Sequence, residues 1–227
     1  MLARITILAL LCSLLLCLAA MAQDSLNVTK VGEYAFWYDA YDVAVSRGYA
    51  YVADGFAGFK IVNIQDPYSP IEVGYLGTPG PAVTVTIYGQ YAILGVQDDE
   101  LYIIDINNPS DPSFVGHVSL GDGSVQDIAI SGHYCYVAAF YGSLKIVDIA
   151  NLSHPLLVGS CPTHGMALGV AVSGQRAYVA ARGGGLRIFD IVTPQSPVEI
   201  GRYPFIAADG VSVSGNYAYV AAHTGGL

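Results

Sequence analysis

Carboxylates are the residues of this chain best placed to do chemistry, and they occur in two ways. Asp98-Asp99-Glu100, and Asp122 with Ser124 and Asp127, are single occurrences with enough oxygen to suggest calcium. Calcium loops space about six to eight oxygens around a tight turn. Neither set has that spacing, so no metal is assigned. Asp105, Asp148 and Asp190 instead end near-identical pentapeptides, and a residue that recurs in every unit is explained by the unit. Signatures of enzymes are absent: there is no Gly-x-Ser-x-Gly, no His-Glu-x-x-His and no Cys-x-x-Cys. Gly183-Gly184-Gly185 lies between two strand-like segments rather than before a helix, so it cannot hold phosphate on helix N–H groups. No cofactor and no catalytic residue is assigned.

The elements that position these groups are read from the repeat. Phe59-Lys60-Ile61-Val62-Asn63, Leu101-Tyr102-Ile103-Ile104-Asp105, Leu144-Lys145-Ile146-Val147-Asp148 and Leu186-Arg187-Ile188-Phe189-Asp190 follow one another at intervals of 42, 43 and 42 residues. Each is followed at a fixed distance by a proline (Pro70, Pro112, Pro155, Pro197) and then a glycine (Gly74, Gly116, Gly159, Gly201). A period in this range marks a repeat architecture. Within one period apolar residues alternate or run in short stretches, never at helical spacing. Ile128-Ala129-Ile130, Tyr134 to Ala138, Leu144 to Ile149 and Leu156 to Ser160 read as four antiparallel strands. The fold class is therefore all-β: a β-propeller of four-stranded antiparallel blades with a period of about 42 residues. Coils of a parallel β-helix are shorter and lack these hairpins.

The third-strand pentapeptides resemble the LVIVD repeat, a family of exported bacterial and archaeal propeller repeats. Leu144 to Asp148 is the closest copy, and Asp105 to Pro112 carries the Asp-Ile-x-x-Pro-x-x-Pro that follows it. The resemblance runs from about Lys30 to Leu227, with departures at Asn63 and Leu152. It implies a propeller and a secreted or cell-surface location, and no particular reaction. The WD repeat has a similar period, but its Gly-His and Trp-Asp signatures are missing.

Residues 1–22 read as a signal peptide: Arg4, the apolar run Ile5 to Leu18, and Ala20-Met21-Ala22 before Gln23. The run is too short to span a bilayer comfortably, Leu16 before Cys17 is wrong for a lipobox, and no second apolar span follows. A retained anchor is the alternative; after cleavage no transmembrane segment is expected. The chain has 9 Lys+Arg against 18 Asp+Glu, a net charge of −9. An acidic surface repels phosphate backbones, which argues against nucleic acid as a partner. Cys135 and Cys161 are the cysteines left after cleavage. Two strands apart, roughly 9–10 Å, they are expected to stay unbridged.

Residues 23–227 are expected to form the propeller: a lone fourth strand at 26–35, four full blades over about 41–203, and a partial blade at 209–227. Gly225-Gly226-Leu227 aligns with Gly184-Gly185-Leu186, where a third strand should start, so the ring is expected to be incomplete and the sequence C-terminally truncated. The strand near Val31 is expected to pair with the third strand of the last blade and close the ring.

Successive antiparallel strands send alternate connections to opposite faces. The recurrent Asp, Pro and Ser-Gly turns share one face. The other face carries connections that vary: Asp54, Phe56, Asp98, Asp99, Glu100, Phe140, Tyr141, Arg182 and His223 within blades, and Trp37, Tyr38, His164 and Phe205 between them. Variable loops on a rigid scaffold are where binding is usually found. The reading is a non-enzymatic surface module that binds protein or glycan with this face. The alternative is a hydrolase or lyase with its site at the central funnel.

Overall fold

The computed structural model describes residues 31, 33, 39–121, 123–204 and 207–222. The chain divides into two units, Met1–Glu33 and Tyr34–Leu227. The signal peptide and most of the strand expected at 26–35 fall outside the described residues. All the strands described belong to the second unit.

Short, β-branched and aromatic runs separated by Gly, Pro, Asn and Asp form strands here, as their composition requires. The first sheet is β1 (Asp42–Ser46), β2 (Tyr49–Ala53), β3 (Phe59–Asn63) and β4 (Ile71–Leu76). The second is β5 (Ala82–Tyr88), β6 (Tyr91–Val96), β7 (Glu100–Asp105) and β8 (Ser113–Ser119). The third is β9 (Val125–Ser131), β10 (Tyr134–Ala139), β11 (Ser143–Asp148) and β12 (Leu156–Pro162). The fourth is β13 (Met166–Ser173), β14 (Arg176–Arg182), β15 (Gly185–Asp190) and β16 (Val198–Tyr203), and β17 (Ala208–Ser214) with β18 (Tyr217–Ala222) begins a fifth. Within each sheet the strands pair antiparallel in chain order. The first strands of successive sheets touch one another in turn, β1 to β5, β5 to β9, β9 to β13 and β13 to β17. The sheets are therefore blades standing side by side around inner strands. This is a β-propeller without a closed ring among the described residues.

Apolar side chains bury between blades rather than within them. Tyr51, Phe59 and Ile61 of the first blade pack on Val85, Leu94 and Ile104 of the second. Ile93, Leu101 and Ile103 of the second pack on Ile128, Val137 and Val147 of the third, and the pattern continues. Burying one such side chain stabilises by about 1.5–3 kcal/mol, so each blade depends on its neighbours. Cys135 and Cys161 are free and belong to different clusters, on opposite faces of their sheet. Burial pushes the Cys135 thiol up to about 12.

The recurrent turn works as its composition implies. Asp105, Asp148 and Asp190 each accept a hydrogen bond on Oδ1 from the N–H two residues on, at 2.8, 2.8 and 2.9 Å. Asn63 does the same for Gln65 at 2.9 Å, which explains why an amide is tolerated there. The isoleucine that follows donates its N–H to the neighbouring hairpin turn, as Ile106 does to Gln90 at 3.0 Å.

The recurring glycine has its partner in the next blade. A Cβ on Gly74 would overlap the carbonyl oxygen of Pro109, one on Gly116 that of Leu152, and one on Gly159 that of Pro194. Each turn between third and fourth strands thus seats a carbonyl on the fourth-strand glycine of the blade before it.

Candidate binding face

The loops joining second to third strands have one length. They are closed by the pairs Ala53↔Phe59, Gly95↔Leu101, Ala138↔Leu144 and Ala180↔Leu186. Their backbones are tied to the connections between blades. Leu120 N–H donates to Asp99 O and Thr163 N–H to Gly142 O, both at 2.8 Å. Gln97 N–H donates to Pro81 O at 3.0 Å, and Phe140 N–H to Ser124 O at 2.9 Å. Equal length and anchored backbones give a fixed frame on which side chains differ.

The middle position of that frame holds Phe56, Asp98, Tyr141 and Gly183 in turn. Phe56 is 77% exposed and Tyr141 is 79% exposed. Phe140, beside Tyr141, meets its ring edge-on at 5.6 Å and is half-buried. Asp98 is exposed and its carboxylate lies against Gly80 of the connection from the first blade. Asp99 (φ 63°) and His164 (φ 55°) take left-handed backbone that non-glycine residues seldom adopt. Both belong to this face. Trp37, Tyr38, Phe205 and His223 lie outside the described residues.

Two charges that the loops contribute are engaged in the scaffold. Asp54, read as a loop residue, is fully buried; its Oδ1 accepts Asp39 N–H at 3.0 Å and Lys60 Nζ lies 2.9 Å from Oδ2. Arg182 Nε donates to Asp209 Oδ1 at 2.8 Å, tying the fourth blade to the fifth. That carboxylate raises the pKa of the Arg182 guanidinium.

At the inner strands two carboxylates that the repeat did not reveal join blades in pairs. Asp42 accepts Val43 N–H at 2.8 Å on Oδ1, and Thr84 Oγ1 and Val85 N–H at 2.8 and 2.9 Å on Oδ2. Asp127 accepts Ile128 N–H and Val170 N–H, both at 2.8 Å. Burial raises the Asp127 pKa, the two N–H bonds lower it, and the charge of Asp42 raises it further. The equivalent positions in the second, fourth and fifth blades are Thr84, Gly169 and Gly210, so the clasps are made from the first blade to the second and from the third to the fourth.

On the outer side, the third-strand residue three before the recurrent Asp or Asn is Lys60, Tyr102, Lys145 and Arg187 in turn. Lys60 and Arg187 reach fourth-strand acids, Glu72 at 3.9 Å and Glu199 at 3.0 Å. In the second blade the equivalent pair is Tyr102 and Phe114, with ring centroids 5.3 Å apart. Burial, and then the charges of Glu100 and Asp98, raise the Tyr102 phenol pKa.

Two cavities lie on the other face. One of about 630 Å³ is lined by Arg176, Tyr178, Asn216 and Tyr217, and one of about 220 Å³ by Arg47, Tyr49, Gln90 and Asn107. Both occupy the crevice between neighbouring hairpin turns, and neither touches a residue of the variable loops. Among the described residues no group of three or more His, Cys, Asp or Glu side chains is placed to hold a metal. No helix among them is long and apolar enough to cross a membrane.

Comparison with known proteins bears on the fold and the repeat. No curated protein matches the chain. Among solved structures it is similar to the computationally designed Ika8 protein, with 16% identity and a TM-score of 0.65 over 81% of this chain and 55% of that one. It is also similar to the computationally designed Ika4 protein, with 13% identity and a TM-score of 0.59 over 73% of this chain and 99% of that one. Identities this low speak to fold alone, and the chain spans little more than half the length of Ika8. The family profile described as LVIVD repeat matches residues 39–78, 79–119, 122–163, 164–204 and 207–227.

Proposed function

The chain belongs to the LVIVD-repeat family, and from that premise we propose that it is an exported, non-enzymatic module that binds a protein at the cell surface with its variable loops. The observation that carries this reading is the middle loop position. Phe56 and Tyr141 stand there, in loops of equal length with anchored backbones, and no other large hydrophobic side chain among the described residues is more exposed. Exposed aromatics held on a rigid frame are what interfaces use as anchors. Export is supported by Arg4, the apolar run that follows it and the Ala20-Met21-Ala22 cleavage pattern. A funnel-sited hydrolase or lyase would need free carboxylates near the inner strands. Asp42 and Asp127 stand there, but their oxygens are taken by donors from their own and the adjoining blades. The test is binding of the labelled full chain to cell envelopes. The double variant Phe56→Ala/Tyr141→Ala is expected to lose binding while its circular dichroism spectrum is unchanged. Equal binding by wild type and variant would refute the loop assignment.

A further inference from the structure

The outer slot of the second blade departs from its siblings in a way that points to a ligand. In the first, third and fourth blades the third-strand residue three before the recurrent Asp or Asn is a cation, and each is largely buried. The Lys60 side chain is 12% exposed, Lys145 is 8% exposed and Arg187 is 7% exposed. Lys60 and Arg187 pair with carboxylates, Asp54 and Glu72 for the first and Glu199 for the second. The position is thus one where this fold repeatedly buries a positive charge beside acids. Burying a charge is tolerated only when it is paired, so such surroundings favour cations.

In the second blade both the cation and its acids are replaced, with Val96 and Phe114 where the first blade has Asp54 and Glu72, and a different carboxylate, Glu100, stands beside the slot. Tyr102 occupies the slot, and its fourth-strand partner is Phe114 rather than an acid. His117, directly across from Tyr102 on β8, is exposed and stacks on it with centroids 5.6 Å apart at 22°. Glu100, two residues before Tyr102, supplies a carboxylate whose Oε2 is buried without a hydrogen-bond partner. An aromatic platform beside a sheltered carboxylate is suited to a cation, which gains from the ring faces and from the charge together. The protein's net charge of −9 draws cationic partners toward it.

We propose that Tyr102, Phe114, His117 and Glu100 form a binding slot for an ammonium or guanidinium group, the side chain of a lysine or arginine on a partner protein. The slot takes from outside the charge that sibling blades carry themselves. It rests on the reading of the chain as a protein-binding module and adds the chemistry of what is bound. Because Glu100 closes a variable loop and Tyr102 lies just below it, a partner seated on the face reaches the slot with one long side chain.

The test uses the full chain and a fluorescein-labelled oligolysine peptide, with anisotropy read at fixed low salt. Tyr102→Lys gives the slot the cation its siblings have and is expected to weaken peptide binding roughly tenfold. Glu100→Gln should weaken it by a similar factor. Asp111→Asn, an acid of the same blade on the opposite face, should leave binding unchanged, and thermal melts should match wild type. Equal loss in Asp111→Asn would show general surface charge and overturn the slot. So would wild-type binding by Tyr102→Lys, or binding of neutral chitohexaose in the peptide's place that survives Glu100→Gln. If Tyr102→Lys does not fold, Tyr102→Leu and Glu100→Gln decide. Envelope binding lost only in Phe56→Ala/Tyr141→Ala, with slot variants unaffected toward both probes, rejects the slot and keeps the face. Peptide binding lost only in the slot variants, with the loop variant normal on envelopes, rejects the face and keeps the slot.

Discussion

The turns between third and fourth strands and the loops between second and third strands are connections of the same blades, at opposite ends. The turns repeat their side chains because each has two jobs inside the scaffold. Asp148 accepts the Ala150 N–H of its own turn, and the Leu152 carbonyl of that turn rests on Gly116 of the blade before. The loops repeat only their length and backbone bonds, and their middle residues are free to be Phe56, Asp98, Tyr141 or Gly183. A turn whose own side chain fixes the shape that seats its carbonyl on the neighbouring blade is constrained at that side chain. A loop held only by backbone bonds is not.

The sharpest way to break this comparison is at the glycine seat. Gly116→Ala and Gly159→Ala must displace a backbone carbonyl, and each is expected to cost about 3 kcal/mol or more, read as a lowered midpoint in denaturant. Gly201→Ala is the internal control: its Cβ would meet nothing closer than the Ile188 side chain at 3.6 Å. A cost for Gly201→Ala equal to that of Gly116→Ala would refute the seat. Next in size, Asp148→Ala removes a turn acceptor and should lower stability by about 1 kcal/mol in the same assay. At the other end of the blades, Phe56→Ala/Tyr141→Ala should stay within about 0.5 kcal/mol of wild type while abolishing binding. Equal destabilisation by the loop pair and Asp148→Ala would erase the distinction between turn and loop.

A finer effect concerns the inner clasps. The folded protein raises the pKa of Asp127, through burial first and the charge of Asp42 as well. The folded state therefore binds its proton more tightly than the unfolded chain, and this carboxylate's contribution to stability falls as pH rises from the ordinary aspartate range through the raised value. The stability of wild type relative to Asp127→Asn should decline across that window, followed by melts at successive pH values. A rise would show that the N–H bonds outweigh burial.

The repeat made the fold legible because each blade states it again. Strand order, the Asp turn and the varied face could all be read from the 42-residue period. What escaped reading lies between units. The glycine recurs visibly, but its partner is a carbonyl of the next blade, and a carbonyl has no letter. Asp42 and Asp127 escaped because only the first and third blades carry them, with Thr84, Gly169 and Gly210 at the equivalent positions of the others. Asp54 read as a loop residue although Lys60 holds it inside, an ion pair across the sheet that no local pattern announces. Tyr102 read as one more third-strand residue, and its difference shows only when four registers are laid over one another.

The carbonyl seated on glycine also bears on how such a chain grows. Each unit has a socket on its fourth strand and a plug in its turn, and the plug of one copy fits the socket of any other. The contact is head-to-tail and uses the same two parts at every junction, so it is indifferent to how many junctions there are. Duplicating or deleting one unit leaves every remaining joint chemically intact and shifts only the inner clasps, which run from odd blades to even ones. Lineages of this chain can therefore change blade number by whole repeats without inventing an interface, and moving a clasped pair of blades together would preserve its clasp too.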